Sequence, residues 1–455
     1  MPRFLIVVSL LLSTTLALSA ADWPQWMGPQ RDAVWSETGI VKDFKKGEPK
    51  EKWRAEIGGG YSGPAVAAGK VYLADKKLKP GAVDPKDPFA KANVASSERV
   101  LCLDAKTGKN LWTHEYNVMY SIQYPCGPRC TPLVHEGKVY SLGAMGDLFC
   151  LDDTVHANGK AKVLWSKNFP KDFGIKVPVW GFSGHPIVYK NLLICLVGGD
   201  GTALVAFDKT TGEEKWKALS AADPGYNSPV LIESGGVTQL VAWTPKHLYG
   251  LNPLDGQKYW SVPLEPRHGM SIMSPRKEGN LLFAAGIGNV GVTLELDPKN
   301  PKNVKEVWRA KGDAEPKDGV YPINMTPFIE NGTVYAADQP GMFRAVDLRT
   351  GVRKWESFKP IFGVEKPDDF KAPCGTAFVV KNADNGLFYL FTETGDLAIG
   401  KLSPKGYEEF GRTHLLDPTC TALNGRKAVW SHPAFADKCI FARNDKHLVC
   451  VPLGE

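Results

Sequence analysis

The sequence predicts an all-β protein, an eight-bladed β-propeller in which each blade holds four antiparallel strands. Three observations predict it: one short phrase recurs along the chain, two apolar runs of strand length precede each copy, and one copy is split between the two ends. A four-stranded meander cannot bury both of its faces alone, so such blades pack radially around an axis. The ring then closes when an N-terminal strand completes the last blade.

The recurring phrase combines a small residue, an acid, a turn glycine and a tryptophan at fixed offsets. Clear copies occupy 101–112, 203–216, 248–260 and 343–355, and drifted copies occupy 149–165 and 294–308. In the faint seventh copy Phe410 takes the place of the tryptophan, and the eighth combines HLVCVPLGE at the C-terminus with EKWRAEI near the N-terminus. We therefore expect residues 52–57 to pair beside residues 447–452.

Each part of the phrase has a physical role in joining neighbouring blades. The glycine allows the positive φ of a tight turn, and the tryptophan packs a broad apolar face against the next blade. The predicted blade-docking residues are Trp53, Trp112, Trp165, Trp216, Trp260, Trp308 and Trp355. Cys102, Cys150 and Cys450 occupy the slot in which other blades have alanine or glycine, so we predict buried thiols that act as small hydrophobes.

One domain is predicted to follow a leader. Residues 1–21 have the pattern of a secretory signal peptide, an arginine before an apolar run that ends in small residues, and cleavage is expected near Ala20 or Ala21. Residues 22–455 make up the propeller domain, with the polar, proline-rich stretch 76–98 as an insertion in the first blade. We therefore expect an exported protein of the periplasm or the extracellular space.

Net charge and hydropathy argue against a nucleic acid or a membrane as the partner. The 55 Lys and Arg residues exceed the 49 Asp and Glu residues by 6, and the excess is spread along the chain without basic blocks. This pattern suggests neither a nucleic acid nor an anionic membrane as partner. No segment after the leader has the length and apolar character of a bilayer span.

The repeat resembles a known family, the PQQ-like β-propeller repeats. The segments 101–112, 207–216 and 346–355 match its blade signature well, and the resemblance covers nearly the whole chain after the leader. The family includes quinone-dependent dehydrogenases and noncatalytic propellers similar to the outer-membrane protein assembly factor. The resemblance therefore implies the fold without choosing an activity.

The resemblance implies what a dehydrogenase of this family would need: an aspartate base, a carboxylate and amide cage for calcium, and often a disulfide between adjacent cysteines. The chain has no Cys-Cys pair, and no set of Glu, Asn and Asp can be placed that would hold a hard cation. Asp152 with Asp153 and Asp368 with Asp369 are expected at the solvated surface. We predict no catalytic residues and no metal site, and PQQ with calcium has no support from site residues.

Two cysteines in the loop YPCGPRCTP are spaced so that they could supply two of the four ligands of a metal site. Cys126 and Cys130 lack a second pair with suitable spacing, so a loop disulfide or two free thiols is preferred over a metal centre.

The loops that lead into the first strand of each blade are the candidate binding surface. First strands lie innermost in propellers, so these loops are expected to converge on one mouth of the central channel. They are rich in residue types that recognise partners. The candidates are Arg129, Trp180, His185, His268, Tyr321, Asn324 and Trp430. Alternatively, the loops only plug the channel and cap strands, with Arg129 tying backbone carbonyls together.

The sequence therefore predicts a binding or scaffold protein that recognises a protein, peptide or polysaccharide of the cell envelope at the funnel mouth. It is expected to be a monomeric propeller, alone or within a complex. The alternative is a PQQ-dependent oxidoreductase, and a third class is a purely structural part of a larger cell-surface assembly.

Overall fold

The residues described by the computed structural model, 22–312, 317–367 and 373–455, form eight four-stranded antiparallel blades. The predicted eight-bladed propeller is confirmed. The predicted leader 1–21 and the pair Asp368 and Asp369 lie outside the described residues. None of the described helices is long and apolar enough to cross a membrane.

Apart from two short strands that come from the N-terminal region, the strands follow chain order within each blade. The N-terminal strands are β1 (Val34–Trp35) and β2 (Trp53–Glu56). Blades 1 to 4 contain β3 (Ala65–Ala67), β4 (Lys70–Leu78), β5 (Val94–Asp104), β6 (Asn110–Tyr120), β7 (Leu133–His135), β8 (Lys138–Leu142), β9 (Asp147–Asp152), β10 (Val163–Asn168), β11 (Ile187–Tyr189), β12 (Leu192–Leu196), β13 (Leu204–Asp208), β14 (Glu214–Ala218), β15 (Val230–Ser234), β16 (Val237–Trp243), β17 (His247–Leu251) and β18 (Lys258–Pro263).

The second half of the ring repeats this arrangement, with a small ribbon before the last blade. Blades 5 to 7 contain β19 (Arg276–Glu278), β20 (Leu281–Gly286), β21 (Val290–Leu296), β22 (Val304–Arg309), β23 (Phe328–Glu330), β24 (Thr333–Ala337), β25 (Phe343–Asp347), β26 (Arg353–Ser357), β27 (Ala377–Asn382), β28 (Phe388–Thr392), β29 (Asp396–Ser403) and β30 (Gly406–His414). The ribbon is β31 (Cys420–Thr421) with β32 (Lys427–Ala428), and blade 8 contains β33 (Ala434–Ala436), β34 (Cys439–Arg443) and β35 (His447–Pro452).

Helical segments are short and lie between blades. The α-helices are α1 (Phe169–Phe173) and α2 (Lys359–Phe362), and Arg267–Gly269 and Leu423–Gly425 form 3-10 turns.

The ring closes where the sequence predicted. Strand β2 pairs antiparallel with β35 as the fourth strand of blade 8, and Trp53 lies opposite Cys450. The N-terminal strand therefore covers an edge that would otherwise be open.

A small residue lies directly opposite the tryptophan in most blades, and the register shifts immediately after it. Cys102 faces Trp112, and Cys150 faces Trp165. Cys102, Cys150 and Cys450 are buried free thiols, as predicted. The slot must be small because the indole ring covers it.

The N-terminal region does more than close the ring, and this was not predicted. Residues 22–41, which we call the N-terminal plug, lie across the central channel against the innermost strands. Trp23 pairs with Val66 of blade 1, the Pro24 carbonyl accepts from the Val134 amide of blade 2 (2.8 Å), and β1 pairs parallel with β27 of blade 7. Side chains of this segment therefore occupy the channel that, in one of the two sequence-based alternatives, the loops were expected to plug.

The predicted insertion 76–98 in blade 1 begins and ends in an extended hairpin. Strands β4 and β5 pair from Lys70 with Asp104 out to Leu78 with Ser96. Residues 79–93, the larger part of the insertion, lie outside these strands and reach the loop before blade 2, where the Tyr124 amide donates to the Pro88 carbonyl.

Candidate binding surface and central channel

The loops that precede the innermost strands bond to one another around the ring. The Ser62 amide donates to the Pro128 carbonyl (2.9 Å), and the Gln123 amide donates to the Val179 carbonyl (2.9 Å). Further round, the Tyr226 amide donates to a carbonyl in the next loop (3.0 Å). These loops form one continuous surface, which we call the loop face.

Arg129 is held by backbone on the loop face. Its guanidinium donates to the carbonyls of Tyr124 (2.6 Å), Gln123 (3.2 Å) and Gly127, and it lies 5.0 Å from the centre of the Tyr61 ring. Its side chain is half-buried. Because carbonyls take several of its donors, the geometry favours the role of tying the loop together.

Trp430 belongs to a charged and aromatic cluster. Its indole Nε1 donates to Glu393 Oε2 (3.3 Å), and its ring lies 5.9 Å from that of Tyr124. Arg426 forms a two-pronged pair with the buried Glu393 carboxylate (2.9 and 3.1 Å) and lies 5.8 Å from the Trp430 ring. Burial raises the pKa of Glu393, while the Arg426 contact opposes this shift.

Two other predicted residues are accessible on this face. Trp180 is half-buried and meets the Tyr226 ring edge-on at 5.5 Å between centres. His268 is exposed in the 3-10 turn with a φ of 60°, a left-handed conformation. Both side chains can contact a partner.

Tyr321 and Asn324 are less available. Tyr321 is fully buried, and its backbone amide donates to Asp338 Oδ1 (3.0 Å). Asn324 is half-buried in the same loop. Tyr321 is therefore placed to support the loop rather than to touch a partner.

His185 lies inside the channel, beneath the loop face. Its ring stacks on Trp26 of the N-terminal plug at 4.9 Å, and its Nδ1 lies 2.8 Å from Ser228 Oγ. His432 meets the same tryptophan edge-on at 5.6 Å. Burial lowers the pKa of His432 to about 3, and burial together with Arg31 and His432 lowers that of His185 well below its usual value. Both imidazoles are therefore neutral at physiological pH.

Several residues around these sites were not singled out from the sequence. Trp26, Glu393 and His432 make their contacts with residues far away in the chain. His432 could have been found, because it stands before the strand-start proline of blade 8 as His185 does in blade 3. Glu393 has no such mark, and Trp26 is marked only by lying outside the repeats.

A cavity of about 530 Å³ lies between the N-terminal plug and the innermost strands of blades 2 to 5. Its charged lining includes Arg31, Asp32, Arg276 and Lys277. Arg31 donates to the Pro229 carbonyl (3.1 Å), and Arg276 donates to the carbonyls of Arg31 (2.7 Å) and Asp32 (3.1 Å). The guanidinium groups therefore hold the plug in place.

The residues present do not fit a calcium-bound quinone. Calcium takes six to eight oxygen ligands, usually with several carboxylates. Asp32 is the one acid among the described residues that line the cavity, and no cluster of three His, Cys, Asp or Glu residues suited to a metal occurs in the described part of the chain.

The cysteines of the YPCGPRCTP loop have different surroundings. All nine cysteines are free thiols. Cys130 is fully buried in the core between blades 2 and 3 together with Cys195. Cys126 instead lies on the loop face, 3.1 Å from Asp445 Oδ1.

Comparison with known proteins agrees with this architecture. A family model described as outer membrane protein assembly factor BamB matches residues 96–296. The chain is 35% identical over 134 residues to a quinoprotein ethanol dehydrogenase of Pseudomonas aeruginosa. That alignment covers 27% of this chain and 20% of the dehydrogenase. The chain is 22% identical over 249 residues to the outer membrane protein assembly factor BamB of Shewanella oneidensis. That alignment covers 51% of this chain and 58% of the relative.

The matched regions thus span less than two thirds of either relative. Among solved structures, the quinohemoprotein alcohol dehydrogenase of Comamonas testosteroni superposes with a TM-score of 0.60 at 16% identity, covering 95% of this chain and 81% of that one. At that identity the likeness shows the fold alone. The predicted resemblance to PQQ-like propellers is confirmed. The similar proteins include both a quinoprotein dehydrogenase and an outer membrane protein assembly factor.

Proposed function

We propose that this protein is an exported, noncatalytic scaffold of the cell envelope that holds a protein, peptide or polysaccharide on its loop face. The observation that carries this proposal is the N-terminal plug. Because Trp26 and Arg31 occupy the channel beneath the loops, the loop face lies over the N-terminal plug and not over an open channel. A relative that is an outer membrane protein assembly factor is consistent with a scaffold.

The loop face has the composition of a recognition surface. Trp180 and His268 are accessible, and Phe89 of the insertion, 42% exposed, meets Tyr124 edge-on at 5.0 Å. Aromatic side chains contribute most to binding when the surrounding structure already fixes them. Trp430 meets that condition through its bond to Glu393.

The test compares capture of partners by variants of accessible residues. Trp180→Ala and His268→Ala remove side chains from the loop face, and Leu254→Ala removes an exposed apolar side chain from a turn between the third and fourth strands of blade 4. We expect each loop-face variant to lower capture from cell-envelope extract about tenfold, the effect of roughly 1.4 kcal/mol. Leu254→Ala should retain capture.

Folding is checked by circular dichroism before any comparison. Protease treatment of the extract then separates a protein partner from a polysaccharide. If both loop-face variants fold and retain every captured partner, the loop face is not the binding surface.

The alternative is a PQQ-dependent oxidoreductase, favoured by the 35% identity to a quinoprotein ethanol dehydrogenase over 134 residues. The N-terminal plug within the channel and the scarcity of carboxylates along the cavity oppose it. Incubation of the purified protein with PQQ and calcium, followed by gel filtration, should leave no quinone absorbance on the protein. Stoichiometric retention would favour the oxidoreductase.

A further inference from the structure

Two cysteines from distant parts of the chain meet on the loop face. Cys126 lies in the loop between blades 1 and 2, and Cys420 lies in β31 of the ribbon between blades 7 and 8. Both border the Asp445 carboxylate, because Cys126 contacts it directly and Thr419, the neighbour of Cys420, donates to it. The two thiols are also hydrogen-bonding partners. Both residues are free thiols in the structure.

The surrounding contacts fix both sulfur atoms. Cys126 Sγ lies 3.1 Å from Asp445 Oδ1, and Cys420 Sγ lies 3.4 Å from the Tyr61 hydroxyl. Asp445 is held in turn by the Thr419 hydroxyl (3.0 Å). A methyl group added at Gly59 would lie 2.6 Å from the Cys126 carbonyl and 3.1 Å from its sulfur, so the loop is packed closely here.

We propose that Cys126 and Cys420 form a disulfide that locks the ring on the loop face. The bond would join the segment before blade 2 to the segment before blade 8. It would therefore span the junction of blades 8 and 1, where β2 from the N-terminus and β35 from the C-terminus meet. This inference does not depend on the proposed function.

The chemistry requires an oxidant, and a small disulfide such as oxidised glutathione supplies it. One cysteine thiolate attacks the oxidant, forms a mixed disulfide and releases one glutathione thiolate. The second cysteine thiolate then displaces the other glutathione, so a protein S–S bond forms as the glutathione S–S bond breaks. Two thiol protons leave the protein, and the two glutathione thiolates take up two protons.

Two other cysteine pairings are disfavoured by geometry. Cys130 lies in the buried core between blades 2 and 3 with Cys195, away from the Asp445 contact that marks the site of Cys126. Cys439 and Cys450 lie on adjacent strands and their thiols also lie within hydrogen-bonding reach, but Cys439 faces Pro452 while Cys450 faces Phe441. The pair is therefore diagonal, and a bond between the two would have to bridge a backbone spacing wider than the spacing of about 4 Å between Cβ atoms in an unstrained disulfide.

The surroundings also set the rate of the reaction. Hydrogen bonding to Cys420, burial and the nearby Asp445 carboxylate all raise the pKa of Cys126 well above its usual value. Because the thiolate is the attacking species, oxidation should be slow at neutral pH and faster as the pH rises.

The experiment treats the folded, fully reduced protein with oxidised glutathione at pH 8.5. We expect the count of free thiols to fall from nine to seven, nine less the two that pair. Peptide mapping without reductant should identify a Cys126–Cys420 link. The melting temperature should rise by about 3 °C or more, since a crosslink between distant residues restricts the unfolded chain.

Matched variants identify the pair. Cys126→Ser and Cys420→Ser should each abolish the link and the rise in melting temperature, while Cys374→Ser, another half-buried cysteine, should retain both. Mapping of the wild-type protein decides the matter even if a variant folds poorly. A Cys126–Cys130 link, a Cys439–Cys450 link alone, or nine thiols that remain free after prolonged oxidation would overturn the proposal.

Discussion

At four blade junctions the tryptophan that ends a repeated phrase packs on the turn glycine of the next blade, whereas Gly406 in the turn of blade 7 has no such contact. Trp165 packs on Gly212, and Trp308 packs on Gly351. The indole nitrogen often adds a hydrogen bond, as in Trp165 Nε1 to the Lys209 carbonyl (3.2 Å). Each contact joins two blades through a single ring.

Two tryptophans lack this hydrogen bond to the next blade, because the turn that each one meets differs from the repeated phrase. Blade 2 carries extra residues in its turn, and the indole nitrogen of Trp112 finds no acceptor among the residues that the structure describes. Blade 5 lacks the turn glycine, and Trp260 donates instead to Gln239 Oε1 of its own blade (2.8 Å). Docking by tryptophan therefore depends on the turn it meets.

Substitution of a docking glycine tests this contact. A methyl group at Gly212 would lie 2.7 Å from a ring carbon of Trp165, whereas one at Gly137 meets nothing within 4 Å. Both glycines have a φ near 70°, at 74° and 69°, so the backbone cost is matched. Gly212→Ala should lower the free energy of unfolding by roughly 1–3 kcal/mol more than Gly137→Ala.

Chemical denaturation of both variants gives the comparison. Equal losses of stability in the two proteins would show that the indole does not pack on the glycine.

At the scale of elements, the strands could be predicted from the sequence and the N-terminal plug could not. Strands can be recognised from apolar runs and turn residues in the sequence, and the same pattern recurs in all eight blades. The plug contains only the two-residue strand β1, and its contacts reach strands as distant as β27. Its one visible sign was three tryptophans, Trp23, Trp26 and Trp35, outside any repeat.

The same reason limited prediction of the candidate site. That the loops share one face follows from the meander, but which side chains remain accessible depends on packing between loops. Arg129 turned inward to carbonyls because its own loop supplies them two to six residues away. His185 lies against Trp26, which no local pattern could place there.

The two histidines packed against the N-terminal plug should make the stability of the protein depend on pH. His185 and His432 both have a lowered pKa when folded, whereas an unfolded histidine titrates near pH 6.5. Below about pH 6.5 the unfolded chain therefore binds protons that the folded chain does not, and stability falls as the pH drops toward 3. We expect His432 alone to cost roughly 2 kcal/mol at pH 5, and His185 to add to that cost, up to about the same amount.

Urea denaturation at pH 7 and pH 5 measures this effect. The double variant His185→Gln, His432→Gln should lose less stability on acidification than the wild type does. His268→Gln, on an exposed turn, serves as the matched control and should behave like the wild type. An unchanged acid response in the double variant would contradict the assignment.

For the molecule as a whole, the ring depends on residues near the N-terminus in two separate ways. The plug fills the channel, and β2 completes blade 8 through Trp53 and its neighbours. Removal of residues 22–40 should lower the melting temperature by loss of the plug. Removal of residues 22–57 should lower it further and promote aggregation, because the edge of β35 is then exposed.

Thermal melting and light scattering of the two truncated proteins separate the contributions. Identical melting temperatures and no added aggregation in the shorter protein would mean that β2 does not hold the ring closed.

The pairing of Trp53 with Cys450 also constrains the order of events during synthesis. The ribosome makes the closing strand β2 before any of the blades, but the strand that it pairs with, β35, follows the other seven blades in the chain. The growing chain must therefore exist as an open arc of blades with β2 unpaired until blade 8 has been synthesised. Long-range pairing of this kind is slow to form and leaves strand edges available to wrong partners. Ring closure is thus expected to be a late, rate-limiting step, and the newly made chain is most vulnerable to aggregation just before it.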